Sequence, residues 1–179
     1  IRLLQACREM AEVETHLILS RTGRMNISLE TEWTAAEVEA LADVVHKNSD
    51  LAAPVASGSF RVDGMVVAAC AMKTLSGIAY SLADDLLTRA ADVMLKERRR
   101  LVLMPRETPL HLGHCEAMAQ ACRLGAIIAP PMPSMYIKPE SVDDLVTQSV
   151  ARVLDLFELD PGIAKRWAGP RPATRGDGA

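Results

Sequence analysis

Aromatic side chains are scarce in this sequence, with two each of Phe, Tyr and Trp among 179 residues. A core must therefore be assembled from Leu, Val, Ile, Ala and nine Met rather than from stacked rings. Positive charge is not in excess either. The net charge of −3 removes the usual electrostatic ground for a nucleic-acid binder. Long apolar runs are missing: the longest, Met65 to Met72, falls far short of the roughly 20 residues a membrane-spanning helix needs. The first residues carry no basic-then-apolar signal pattern. The four cysteines (Cys7, Cys70, Cys115 and Cys122) form no CxxC pair, and three of them fall in apolar periodic stretches. That is the pattern of buried, reduced thiols in a cytoplasmic protein. No GxSxG elbow and no GxxxxGK loop is present, which excludes a hydrolase or a P-loop nucleotidase of those types. His111 and His114 are three apart, a spacing two metal ligands could use, but no third ligand stands nearby in sequence.

What is present is ordinary globular material: 49% apolar and 24% charged, at a length suited to one domain. The domain is expected over residues 1–167, with 168–179, rich in Pro, Gly and Arg, a flexible tail. Ile1, Leu3, Leu4, Cys7 and Met10 space out one face of a helix. Thr15 to Leu19 is a short apolar strand that ends in the polar turn Ser20-Arg21-Thr22-Gly23, and Asn26 to Trp33 reads as a short helix or an irregular loop. Thr34 and Glu37 have capping-box spacing, and Val44 to His46 suits a small strand.

Gly64 to Cys70 is a continuous apolar run of strand length, as for a strand covered on both faces. It runs through Ala71-Met72-Lys73-Thr74 into a helix over Leu75 to Ala83. A helix follows from Arg89 to Glu97, with Asp92 and Lys96 at pairing distance, and then a strand from Leu101 to Met104. Thr108-Pro109 reads as the N-cap and first residue of a helix that buries Leu112, Cys115, Ala119 and Cys122. Gly125 to Ala129 is one more buried strand. A proline-rich loop carries Tyr136, and Ser141 caps a helix over Val142 to Phe157. Short buried strands alternating with helices predict a three-layer α/β fold with a parallel sheet.

In such folds ligands bind beyond the carboxyl ends of the strands. Those ends carry Ser20, residues 71–74, Arg106-Glu107 and Tyr136. Arg89 and Lys96 lie two turns apart on one helix face, which suits either a solvated basic face or, with Arg106 and Arg152, an anion site. Glu107 is placed to act as a general acid or base.

The segments SGSF (57–60), CAMKTL (70–75), RAADVMLKERRRLVLMPRETPL (89–110) and PPMPSMY…P…DDLV (130–146) resemble the UbiX-type flavin prenyltransferases, a group that includes the B-type subunits of aromatic-acid decarboxylases. The resemblance runs from about residue 1 to Trp167. It implies a Rossmann-like flavoprotein that assembles as a homo-oligomer, a trimer or dodecamer, with active sites between subunits and no metal. The implied reaction joins reduced FMN, at N5 and C6, to the dimethylallyl group of dimethylallyl phosphate. The prenylated FMN serves a UbiD-type decarboxylase; neither nucleic acid nor membrane is a partner. A non-catalytic FMN-binding partner or carrier for a decarboxylase is the alternative.

Carried over by position, Ser20, Ala71, Met72, Lys73, Thr74 and Arg106 contact FMN. Tyr136 and Arg152, from a neighbouring subunit, hold the donor phosphate, with Lys96 and Arg89 adding charge. Glu107 and Glu30 manage protons. Two departures stand out. The family pattern opens with a strand and a G-A-S/T-G-type loop that cradles the flavin phosphate, whereas this sequence opens inside the helix that follows, so either an omitted start carries that first strand and glycine-rich loop or the expected fold lacks them. Many members also have Ser where this chain has Ala71, a loss of one hydroxyl hydrogen bond worth about 1 kcal/mol.

Overall fold

The computed structural model describes residues 1–169. The elements run α1 (Arg2–Arg8), β1 (His16–Leu19), α2 (Arg21–Glu30), α3 (Ala35–Glu39), β2 (Val44–Lys47), β3 (Gly64–Cys70), α4 (Met72–Ala79), α5 (Leu86–Lys96), β4 (Arg100–Pro105), α6 (Leu112–Leu124), β5 (Ile127–Ile128) and α7 (Val142–Asp155). Short 3-10 turns occupy Pro54–Ala56 and Met135–Ile137.

The strand β4 shows how the layers arise. Successive side chains of a strand point to opposite faces, and Leu101, Val102 and Leu103 are all fully buried. Leu101 and Leu103 pack with Val93, Met94, Ala117 and Ala121 of α5 and α6. Val102 and Met104 pack with Val153 of α7 on the other side. Two helical layers therefore clasp one strand, each fully buried side chain contributing about 1.5–3 kcal/mol. Beyond α7, Val150 and Leu154 meet Ala6, Cys7 and Met10 of the N-terminal segment.

All strand pairs are parallel, as expected, but they fall into two sheets: β1–β2, and β3–β4–β5 in that order. Ile18 of β1 and Met65 of β3 pack against the same cluster around Leu86 and Ala90, so α5 bridges the two sheets.

Several boundaries differ from expectation, and capping explains most of them. The Ser20 hydroxyl accepts from the Gly23 N–H at 3.0 Å, so Arg21-Thr22-Gly23 is the first turn of α2 rather than a turn between elements. Asp85 and Thr88 form a capping box that starts α5 three residues before Arg89. The expected Asp92–Lys96 pair does not form, because Asp92 accepts from Arg89 and Lys96 pairs with Glu97. The helix α6 begins at Leu112 with His111 as N-cap, since the Thr108 N–H is taken by the Glu107 carboxylate. Its buried side is Ala117 and Ala121, not Leu112, Cys115, Ala119 and Cys122. Packing against α4 favours the small residues, whose size lets two helices approach closely, and turns both cysteines outward. Cys7 and Cys70 are buried as expected. Gly125 ends α6 with φ +107, a left-handed value that only glycine adopts without strain, so β5 is cut to two residues. Most of the expected tail, 170–179, lies outside the described residues.

Candidate active site

The strand-end residues separate into distinct places. Ser20 caps the start of α2, and Glu30 ends the same helix about 14 Å further along its axis. There Glu30 takes both guanidinium arms of Arg106, at 3.0 and 2.9 Å. The hydrogen bonds and charge of Arg106 hold the Glu30 carboxyl below the usual carboxylate range, and the Arg106 guanidinium is held charged in return. Two residues expected to serve flavin and protons separately are thus brought together as one exposed, bidentate ion pair. Glu107 is turned back onto its own backbone, its Oε1 accepting the Thr108 N–H at 3.0 Å.

Residues 71–74 form the junction of β3 and α4, with Ala71 as the N-cap and Met72, Lys73 and Thr74 as the first turn. No side chain caps this helix, so its first N–H groups remain available to a ligand acceptor. A serine at position 71 would be free to take one of them. Beneath the turn, burial pushes the Cys70 thiol up to about 12, so it is an inert packing group.

Arg89 and Lys96 do not join Tyr136 and Arg152 within this one chain. Arg89 donates from Nε to the Ala56 carbonyl at 3.2 Å and from Nη1 to Asp92 at 3.1 Å. Lys96 pairs with Glu97 directly over Gly58, where an added Cβ would stand 2.6 Å from the Lys96 Nζ. Arg99 closes the same loop, donating to the carbonyls of Gly58 and Phe60 at 2.6 and 2.7 Å. The SGSF segment is therefore surrounded by cations from α5 and its C-terminal turn.

Tyr136 and Arg152 do meet. They line an open groove of about 680 Å³ with Ala164, Lys165, Arg166 and Trp167. Arg152 and Arg166 share the Asp155 carboxylate, which the hydrogen bonds of Arg166 hold below its usual range against the opposing effect of burial. Trp167 meets the Tyr136 ring edge-on, with centroids 5.9 Å apart. Arg152, Lys165 and Arg166 line the groove beside an amphipathic aromatic pair, with Asp155 pairing both arginines and Asp160 pairing Arg166 as well, an arrangement suited to an anion with a short apolar appendage. The sequence reading missed Lys165, Arg166, Trp167 and the buried Gln148 that anchors them. The available signal was a glutamine on the apolar side of α7.

The His111 and His114 rings lie 3.6 Å apart, and no group of three metal-ligating side chains is present among the described residues.

Comparison with known proteins covers nearly the whole chain. The model of the flavoprotein family matches residues 1–154. The chain is 54% identical over 171 residues to the flavin prenyltransferase UbiX of Escherichia coli (strain K12), covering 94% of this chain and 90% of that protein. Its structure is similar to that of a dodecameric FMN-dependent UbiX-like decarboxylase from Escherichia coli O157:H7, with a TM-score of 0.92 and 54% identity over 93% of this chain and 90% of the other. It is equally similar to AnUbiX in complex with FMN and dimethylallyl pyrophosphate, with a TM-score of 0.92 and 54% identity over 94% and 89% of the two chains.

Proposed function

The chain belongs to the flavoprotein family, among its UbiX flavin prenyltransferases, and from that premise we propose how its own residues divide the work. The protein is a flavin prenyltransferase, joining the dimethylallyl group of dimethylallyl phosphate to reduced FMN at N5 and C6. The allylic C–O bond breaks as the bond to N5 forms, and phosphate leaves with the electron pair. A proton must then be added to the remaining prenyl double bond so that C6 can close the ring, and the protons displaced from N5 and C6 must be taken up. The prenylated FMN passes to a UbiD-type decarboxylase.

The residues present fit a flavin. The uncapped first turn of α4 offers N–H donors, the Ser20 hydroxyl retains its proton after capping α2, and Arg106 presents an exposed guanidinium. FMN supplies the nucleophilic ring atoms. Ser20, residues 71–74 and Arg106 orient it, and Arg106 must exchange Glu30 for a flavin oxygen to do so. Glu30, once released, becomes a proton acceptor beside the flavin, and Glu107 serves as the second.

The observation that carries the donor assignment is the meeting of Tyr136 and Arg152 in one groove with Lys165, Arg166 and Trp167. Cations fixed around a departing phosphate stabilise its charge, while Trp167 shields the allylic carbon from water. Arg89 and Lys96 of a neighbouring subunit complete the clamp. Self-association is supported by large apolar side chains left open on the single chain, Leu29, Leu112, Met132 and Val142 among them, each at least 70% exposed. A dodecamer or trimer provides their cover. The four unpaired cysteines suit a cytoplasmic location.

The test is anaerobic incubation of the protein with reduced FMN and dimethylallyl phosphate, followed by mass spectrometry of the extracted flavin. A flavin heavier by one five-carbon unit, with an altered absorption spectrum, is expected. Recovery of unmodified FMN alone would falsify the assignment.

A further inference from the structure

We infer that Gln148 is a positioning residue for the donor phosphate: it aims the Tyr136 hydroxyl proton into the groove and ties the segment 163–167 over it. Gln148 lies in the middle of α7 at 2% exposure, and Thr88 is the other buried polar residue among those described. Burying an amide is unfavourable unless its donors and acceptor are all matched, and here they are. Its Oε1 accepts the Lys165 N–H at 2.9 Å. Its Nε2 donates to the Lys165 carbonyl at 3.0 Å and to the Tyr136 hydroxyl oxygen at 2.8 Å.

The Lys165 backbone settles which way the amide points. It offers one donor and one acceptor, so a flipped amide would set N–H against N–H and oxygen against oxygen. The NH₂ side therefore faces Tyr136, and since that group only donates, the Tyr136 oxygen must accept. Its own proton has to go elsewhere. Among the described residues the one acceptor in reach is the Lys165 carbonyl, at 3.4 Å and already engaged by Nε2. A bond that long is weak, so a phosphate oxygen entering beside Arg152 takes the hydroxyl proton readily. The same amide also grips both polar groups of Lys165, in the segment that places Lys165, Arg166 and Trp167 at the groove. One buried side chain thus orients a ligand donor and holds the wall opposite it.

This inference rests on Tyr136 binding the donor phosphate, and the experiment separates the two ideas. Tyr136→Phe, Gln148→Glu, Gln148→Met and the Tyr136→Phe/Gln148→Glu double variant are compared in the full chain. For each, kcat, the KM for dimethylallyl phosphate, the dissociation constant for FMN and the melting temperature are measured. A carboxylate at 148 accepts the Tyr136 proton instead of donating to its oxygen, so Gln148→Glu should raise the donor KM about tenfold, one strong hydrogen bond's worth. FMN affinity should stay at the wild-type value. The double variant should lose clearly less than the sum of the two single variants, because their shared route is one hydroxyl and only the Lys165 tether adds to it. Gln148→Met keeps the volume and loses both the tether and the donor to Tyr136, but it should raise the donor KM less than Gln148→Glu, because no carboxylate then captures the Tyr136 proton.

Wild-type donor KM in both Gln148 variants, while Tyr136→Phe raises it, overturns the role of Gln148 and leaves the groove assignment standing. Additive effects in the double variant, or an equal loss of FMN affinity, overturn it as well. An unchanged donor KM in Tyr136→Phe removes the groove assignment itself, and the inference with it.

Discussion

The Tyr136 groove and the Arg106 strand end are both polar and both cationic, yet they are held in different ways. At the groove a buried amide with every hydrogen bond matched fixes the backbone of Lys165 and the hydroxyl of Tyr136. At the strand end two exposed side chains, Arg106 and Glu30, hold only each other among the described residues. A buried network resists rearrangement because an unmatched amide costs free energy. An exposed ion pair is screened by water and contributes little to the fold. The first arrangement suits a clamp that must be ready before the phosphate arrives. The second suits a pair that a flavin can part.

The largest effect should abolish both regions together. Leu103→Ala, in the strand both helical layers clasp, should cost about 2–5 kcal/mol of stability, read by urea denaturation. Next in size, Arg152→Ala should lower kcat/KM for dimethylallyl phosphate by about ten- to a hundredfold, as expected for losing a charge-assisted hydrogen bond. It should leave FMN affinity unchanged. Equal losses for both ligands would show that the two regions are coupled and that the contrast between them fails.

Smaller changes probe the strand end alone. Glu30→Gln frees Arg106, so FMN should bind a few-fold more tightly while kcat falls for want of a proton acceptor, and the melting temperature should scarcely move. Weaker FMN binding in that variant would mean that the ion pair itself is part of the flavin site. Acid should act on both regions in the same direction. Glu30, through its bonds to Arg106, and Asp155, through its bonds to Arg166, have carboxyls held below the usual range. Their contribution to stability is complete above the unfolded carboxylate range and is lost as the pH falls through their depressed values. Melting temperatures should therefore hold steady near neutrality and decline below about pH 4. A decline that begins near neutral pH would point to other groups.

Much of the fold was legible residue by residue. Unbroken apolar runs such as Leu101 to Met104 mark strands buried on both faces, and their alternation with helical spacing implies parallel layers. Caps written locally, as at Ser141 and Thr34, mark their helices in the right places. The outward turn of Cys115 and Cys122 was not legible. A period of 3.6 says that one face of α6 is buried, but only the approach of α4 decides that it is the alanine face.

The same division runs through the site. The family resemblance put Tyr136 and Arg152 together, and the chain brings them to one groove. Gln148 is silent in sequence, because a polar residue on an apolar stripe declares a need for partners without naming them. Arg106 and Glu30 are 76 residues apart, and nothing local says that they meet.

What the sequence determined by itself is therefore everything that depends on near neighbours along the chain: strands, caps, the layered parallel fold and the family. The tertiary structure decided the rest, namely which helix face is buried, which way an amide points, and which cation is already paired. Each of those is settled by groups brought close only when distant segments pack, and close approach is what gives hydrogen bonds and ion pairs their strength.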